Sequence, residues 1–193
     1  MHPDSCDMSD EEIVSMALKE KAFFGHIVSR YEEKLGRYIQ RLGIRNAEDQ
    51  EDVLQEIFIK VYKNLNGFDT SLSFSSWIYR VAHNEAISWY RKTNARPEGH
   101  LVDAAEEIFP LIATKEDGAE TLFDKDLNAE VLNKALNELE ERYRSPLVLR
   151  FFEHKEYEEI SDILKIPIGS VGTLIHRGKN QLRQIIEEEH VHI

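Results

Sequence analysis

DQEDVLQEIFIKVYKNL, running from Asp49 to Leu65, is the stretch that decides the fold. Its apolar residues Val53, Leu54, Ile57, Phe58, Val61 and Leu65 recur at three- and four-residue steps, the period of a helix with one buried face. The other face carries Asp52, Gln55, Glu56, Ile59 and Lys63 in one stripe. Carboxylates mixed with an exposed Ile suit a face that docks on another helix better than one that meets only water.

Working outward toward the C-terminus, Asn66-Gly67 marks a turn, and FDTSLSFSSWIYRVAHNEAISWYRKTNAR follows from Phe68 to Arg96. Ser75 or Ser76 is placed to cap a new helix with Ile78, Val81, Ala82 and Trp89 toward the core. The opposite side carries Trp77, Arg80, Asn84, Ser88 and Arg91. That set offers a flat ring for an unpaired base, cations for phosphates and an amide for base edges. Between Thr70 and Pro97, Arg80, Arg91, Lys92 and Arg96 stand against a single acid, Glu85. Taken singly, Phe74, Trp77, Tyr79, Trp89 and Tyr90 read as core residues of a small helical domain. An aromatic and basic segment directly after a docking helix reads as a nucleic-acid surface.

Working outward toward the N-terminus, Ser9 and Glu12 have the spacing of a capping box, opening a short helix with Ile13, Val14, Ala17 and Leu18 inward. A longer helix is expected from about Lys21 to Leu42, with Phe23, Phe24, Ile27, Val28, Tyr31, Leu35, Tyr38, Ile39 and Leu42 as its apolar set and Gly43 as its stop. Asn46 or Asp49 then starts the docking helix. Beyond Arg96-Pro97 periodicity is lost and acids accumulate, so residues 97–127 read as a flexible acidic linker. Its one apolar patch, Ile108 to Ile112, reads as a segment packing on either lobe, with a contact to polymerase or to an inhibitor as the alternative.

Helical periodicity resumes near Asp126, first with Val131, Leu132, Ala135, Leu136 and Leu139 on one face. Ser145 before Pro146 reads as a cap and first helical residue, opening the apolar segment LVLRFF. Tyr157, Ile160, Ile163 and Leu164 define a short helix, Lys165 to Gly169 a turn, and Ser170 the cap of a last helix burying Val171, Leu174, Ile175, Leu182 and Ile185. Two helices joined by so short a turn make a helix-turn-helix, whose second helix enters the major groove. Ser170, Gly172, Thr173, His176, Arg177 and Lys179 are its candidate base and phosphate contacts. Ile163 to Ile186 holds Lys165, Arg177, Lys179 and Arg183 and no acid, which favours phosphate contact.

The expected fold is therefore all-α: a helical domain over 1–96, an acidic linker over 97–127 and a helix-turn-helix domain over 128–193. Nine Gly, five Pro and no strand alternation agree with it. A net charge of −12 argues against DNA binding until the charge is located. Glu98 to Glu130 holds ten acids against two lysines and residues 1 to 12 hold five acids and no base, leaving the remainder near neutral with its basic clusters intact. A lone cysteine, Cys6, excludes an internal disulfide framework, and no apolar run approaches the roughly 20 residues of a membrane span. A cytoplasmic protein without membrane insertion is expected. Cys6 with His2, or His190 with His192, gives two metal ligands where a site needs more, so no metal is expected. GxxxxGK, HExxH and a nucleophile elbow are all absent, so neither a cofactor nor an enzyme is expected.

Three strings, DVLQEIFIKVYKNL, GFDTSLSFSSWIYRVAHNEAISWYRK and YEEISDILKIPIGSVGTLIHRGKNQL, resemble the defining regions of sigma-70 family factors, most closely the two-domain extracytoplasmic-function (ECF, group 4) type. The resemblance spans about residues 9–95 and 128–187. It implies that Asp52, Gln55, Glu56, Ile59 and Lys63 face the clamp helices of core RNA polymerase. It further implies that the loop from Gly67 to Ser76 receives a base flipped from the −10 element, with Phe68, Phe74 and Asn84 beside it and Trp77, Arg80, Ser88, Arg91 and Lys92 on the same DNA. The last helix then reads the −35 element as duplex, and an anti-sigma factor is an implied partner. Where the family usually carries basic residues after the valine and two positions later, this chain has Gly172 and Leu174, so fewer cations reach the −35 duplex. A rival reading is a free-standing helix-turn-helix regulator that binds palindromic duplex as a dimer. Another is an interaction protein whose acidic linker mimics nucleic acid.

Overall fold

The computed structural model describes residues 8–93 and 129–191. Its chain divides into two compact units. Helix α1 (Asp10–Lys19) opens on the expected capping box: Ser9 N–H donates to the Glu12 carboxylate at 2.7 Å, and Ser9 Oγ accepts from Glu12 N–H at 3.2 Å. Ile13, Val14 and Ala17 are buried, but Leu18, expected inward, is exposed. It lies one step round the helix from Ala17, past the edge of a narrow buried stripe.

A short 3-10 turn at Lys21–Phe23 leads into α2 (Phe24–Arg41), whose inner face is Ile27, Tyr31, Leu35, Tyr38 and Ile39. The chain reverses at Gly43, where φ is 114°, a conformation glycine takes at little cost, and Ile44 N–H donates back to the Ile39 carbonyl at 3.1 Å. Helix α3 (Ala47–Asn64) is capped by the Asn46 side chain, which accepts from the N–H groups of Glu48 and Asp49. It buries Val53, Ile57 and Val61, leaving Leu54 and Phe58 half-buried.

Helix α4 (Phe74–Thr93) starts earlier than the serines suggested. Ser73 does the capping expected of Ser75 or Ser76, its Oγ accepting from Ser76 N–H at 3.2 Å, and Ser76 is itself buried. Phe74 sets this register, because its ring is inside the core and brings the first turn with it. Tyr31 lies edge-on to Phe74 at 5.7 Å, and Tyr38 edge-on to Tyr79 at 5.3 Å. Tyr31 donates its hydroxyl to Asp10, which also accepts from Arg30 at 2.9 Å, so α1 is tied to α2 by a charged anchor.

The second unit is built from α5 (Ala129–Glu138), α6 (Glu141–Phe151), α7 (Tyr157–Leu164) and α8 (Ile168–Val191). Arg144 closes the end of α5 by donating to the carbonyls of Asn137 at 2.9 Å and Leu139 at 2.6 Å. Pro146 lies inside α6, not at its first position, so the expected cap at Ser145 is corrected. Tyr143, Ser145, Leu147, Val148 and Leu149 are all buried, and burying Tyr143 draws the helix start back to Glu141 at the cost of one ladder hydrogen bond. Helix α8 likewise begins at Ile168 instead of after Ser170, with Ser170 N–H donating to the Pro167 carbonyl at 2.8 Å. It buries Val171, Ile175, Leu182 and Ile186; Leu174 and Ile185, expected inside, are half-buried.

Among the described residues there is no strand, no helix long and apolar enough to cross a membrane, and no group of three metal-ligating side chains. The acidic stretch 97–127 with its Ile108 to Ile112 patch, and the pairings of Cys6 with His2 and His190 with His192, lie outside the residues whose side chains are described.

Candidate nucleic-acid interface

The stripe Asp52, Gln55, Glu56, Ile59 and Lys63 is exposed along α3, with Ile59 at 42%. Tyr62, which the sequence reading missed, continues its apolar part at 44% exposure, its ring edge-on to Phe24 at 5.0 Å. The missed signal was spacing: Tyr62 follows Ile59 by three residues on the same helix. Helices α3 and α4 run antiparallel. At one end of their groove a hollow of about 320 Å³ is lined by Asp52, Gln55, Glu56, Glu85, Trp89 and Lys92. At the other, a hollow of about 450 Å³ is lined by Lys60, Asn64, Gly67, Trp77, Val81 and Asn84.

The second hollow gathers several residues proposed for an unpaired strand. Trp77 is half-buried, its ring 5.1 Å from Phe68 and 5.7 Å from Phe74, while Phe68 and Phe74 stand 5.5 Å apart. Phe68 is 7% exposed and Phe74 1%, so in this structure neither ring, expected beside the −10 strand, offers an open face to a base. They back Trp77 instead. Apolar burial is strongest where a ring can meet three others, and the column Tyr31, Phe74, Phe68, Trp77 ends at the hollow. Arg80 and Ser88 are half-buried, and Asn84, Arg91 and Lys92 are exposed. The loop before α4 is folded by Asp69, which accepts from Ser71 N–H at 3.0 Å. That hydrogen bond holds the Asp69 carboxyl below the usual carboxylate range. Leu72 at the loop tip is 55% exposed.

Two buried polar groups lie behind this surface. Glu85 is buried and ion-paired with Lys60. His83 is buried with Nδ1 3.2 Å from the Tyr38 hydroxyl, and burial pushes its pKa down to about 4. Neither contact was legible from spacing, since the partners lie on different helices.

In the second unit, α7 and α8 are joined by Lys165 to Pro167. Lys165 adopts φ 57°, and the turn is closed by Ser161 Oγ donating to the Ile166 carbonyl at 2.7 Å. Of the candidate contacts on α8, His176 and Arg177 are exposed, and Ser170, Gly172, Thr173 and Lys179 are half-buried. His176 Nε2 lies 3.2 Å from Asn180 Nδ2. Lys179 lies over the Phe151 ring at 6.0 Å, and a Cβ on Gly172 would meet the Tyr157 ring at 3.5 Å, so these two border the interior. Gly178, inside α8, has a packing reason. A Cβ there would stand 2.8 Å from Leu147 Cδ1 and 3.2 Å from Tyr143 Cβ, so its absence lets α8 close on α6.

An antiparallel helix pair with an acidic outer stripe and a ring-backed hollow, together with a helix-turn-helix, is a two-part arrangement suited to an unpaired strand and a duplex. Residues 27–96 match the model of Sigma-70 region 2, and residues 129–182 match that of Sigma-70, region 4. The ECF RNA polymerase sigma factor SigW of Bacillus subtilis is 33% identical over 171 residues, 86% of this chain and 89% of that protein. The ECF RNA polymerase sigma-E factor of Escherichia coli is 30% identical over 179 residues, covering 91% and 93%. The sigma factor RpoE of Bartonella quintana, solved in complex with the anti-sigma factor NepR, shares the fold with a TM-score of 0.64 at 20% identity, over 85% of this chain and 96% of that one. This chain belongs to the ECF RNA polymerase sigma factors of the sigma-70 family. It is thus a transcription initiation factor acting with core RNA polymerase on promoter DNA, and the free-standing dimeric regulator is set aside.

Proposed function

We propose that the chain divides promoter opening between two neighbouring helices and promoter anchoring to a third. Asp52, Gln55, Glu56, Ile59 and Lys63 on α3, extended by Tyr62, dock on the clamp helices of core polymerase. Trp77, Arg80, Asn84, Ser88, Arg91 and Lys92 hold the displaced −10 strand, with Phe68 and Phe74 as the backing of Trp77. Ser170, Thr173, His176 and Arg177 meet the −35 duplex, flanked by Gly172 and Lys179. Residues 1–96 carry the first two tasks, 97–127 link, and 128–193 carry the third. The chain catalyses no reaction itself and works in the cytoplasm, where an anti-sigma factor covers the α3 face until release.

The observation that carries this reading is that the α3 stripe is exposed while the ring of Trp77 next to it is held by two buried phenylalanines. Flipping a base costs a few kcal/mol, and a stacking surface that is already rigid returns more of it than a mobile one. The test is run-off transcription by core polymerase mixed with the purified chain. Specific initiation supports the reading. No initiation, with the chain alone shifting duplex DNA as a dimer, contradicts it.

A further inference from the structure

We infer that Glu85 regulates the strand-holding hollow by restraining Lys60, whose ammonium is a phosphate contact at its wall. The inference rests on the strand-holding role given to α4 and adds two residues to it. Lys60 lines the hollow beside Trp77 and Asn84, and its side chain is 48% exposed, so a strand lying on Trp77 passes within its reach. Glu85 is the opposite case, with a side chain 5% exposed that is ion-paired with Lys60. A carboxylate taken out of water needs a cation or donors, and Lys60 supplies them.

An ammonium has three N–H donors and no fixed direction, so it can serve a phosphate and a carboxylate only by compromise. With Glu85 behind it, Lys60 is drawn back toward the α3–α4 seam, and a phosphate must compete for it. Glu85 also lines the hollow bounded by Asp52 and Glu56, so its carboxylate borders the docking surface, while its partner Lys60 stands at the wall of the other hollow. The pair is a natural place for the free chain's hold on single strands to be kept low.

The test uses the full chain and a dye-labelled single-stranded DNA of randomised sequence, read by anisotropy at several salt concentrations, with folding of each variant checked by circular dichroism. Glu85→Gln keeps the shape and removes the charge, and it is expected to tighten binding roughly two- to fivefold, the strength of a half-exposed ion pair. Lys60→Gln is expected to weaken binding by a similar factor and to flatten the salt dependence by about 0.7, one phosphate's share for a single strand. In the Lys60→Gln background, Glu85→Gln is expected to change nothing. Equal tightening in both backgrounds would mean a general charge effect and would overturn the inference, as would no tightening in either. Trp77→Ala separates the two layers. If it weakens binding while the cycle is flat, only the role of Glu85 falls. If it leaves binding unchanged, or if no form of the chain binds, the strand-holding surface falls and the inference with it.

Discussion

Behind the surface of α4 proposed to face DNA stands a column of rings from Tyr31 through Phe74 and Phe68 to Trp77, and the same helix carries a buried carboxylate, Glu85, and a buried imidazole, His83. Behind α8 lie Leu147, Val148, Leu149, Ile160 and Ile163, with a glycine where the helices come closest. The difference follows from what each surface must hold. An unpaired base offers a flat apolar face and must be met by a surface that does not yield, so the interior is built of rings locked against one another. A duplex offers a regular groove and phosphates, so the reading helix needs only to be set at a fixed height on its support while its polar side chains reach out.

The largest effect expected from breaking this contrast is at Phe74. Phe74→Ala should cost about 3 to 5 kcal/mol by chemical unfolding and should move Trp77 fluorescence in the folded remainder, because the ring that supports it is gone. If stability falls by less than about 1 kcal/mol, the ring column is not what holds the first unit together.

Next in size is acid sensitivity. With His83 near 4 when folded and about 6.5 when unfolded, the unfolded chain binds more protons between those values, so stability rises with pH there. The stabilisation is present above about pH 6.5 and is lost as pH falls through the folded value. From about pH 7 to pH 5 the first unit should lose about 2 kcal/mol through this group, and His83→Gln should flatten that part of the profile. An unchanged profile in a folded His83→Gln protein contradicts the assignment.

Gly178→Ala gives the smallest expected change. Adding the methyl gains about 1 kcal/mol of helix propensity but drives Leu147 and Tyr143 apart, which costs about 1 to 3 kcal/mol in a packed site. A net loss of about 1 kcal/mol is expected in the second unit alone, with weaker duplex binding. A stabilised variant would mean that α6 moves aside easily.

The helices were legible because their faces are periodic. Val53, Ile57 and Val61 against Asp52, Gln55 and Glu56 can be sorted by spacing alone, and Lys165 to Gly169 reads as a turn between helices. Boundaries were less legible, as at Ser73, Pro146 and Ile168, because a cap residue announces an end only if tertiary burial does not pull the helix past it. The resemblance places Phe68 and Phe74 beside an unpaired base, and their burial was not legible because aromatic residues flanking a turn have no period to show which way they point. The Lys60–Glu85 and Tyr38–His83 pairs join residues 25 and 45 apart, and only the packing of helices brings them together.

The central claim, that α3 grips the polymerase while α4 holds a strand, is tested most directly by Trp77→Ala in the reconstituted holoenzyme, on a promoter where the wild type initiates. Strand opening, followed by permanganate reactivity of unpaired thymines, should fall by about 1 to 3 kcal/mol, the value of one stacked base, while the affinity for core polymerase stays within a factor of about two. An equal loss of opening and of polymerase affinity in a folded variant would contradict it.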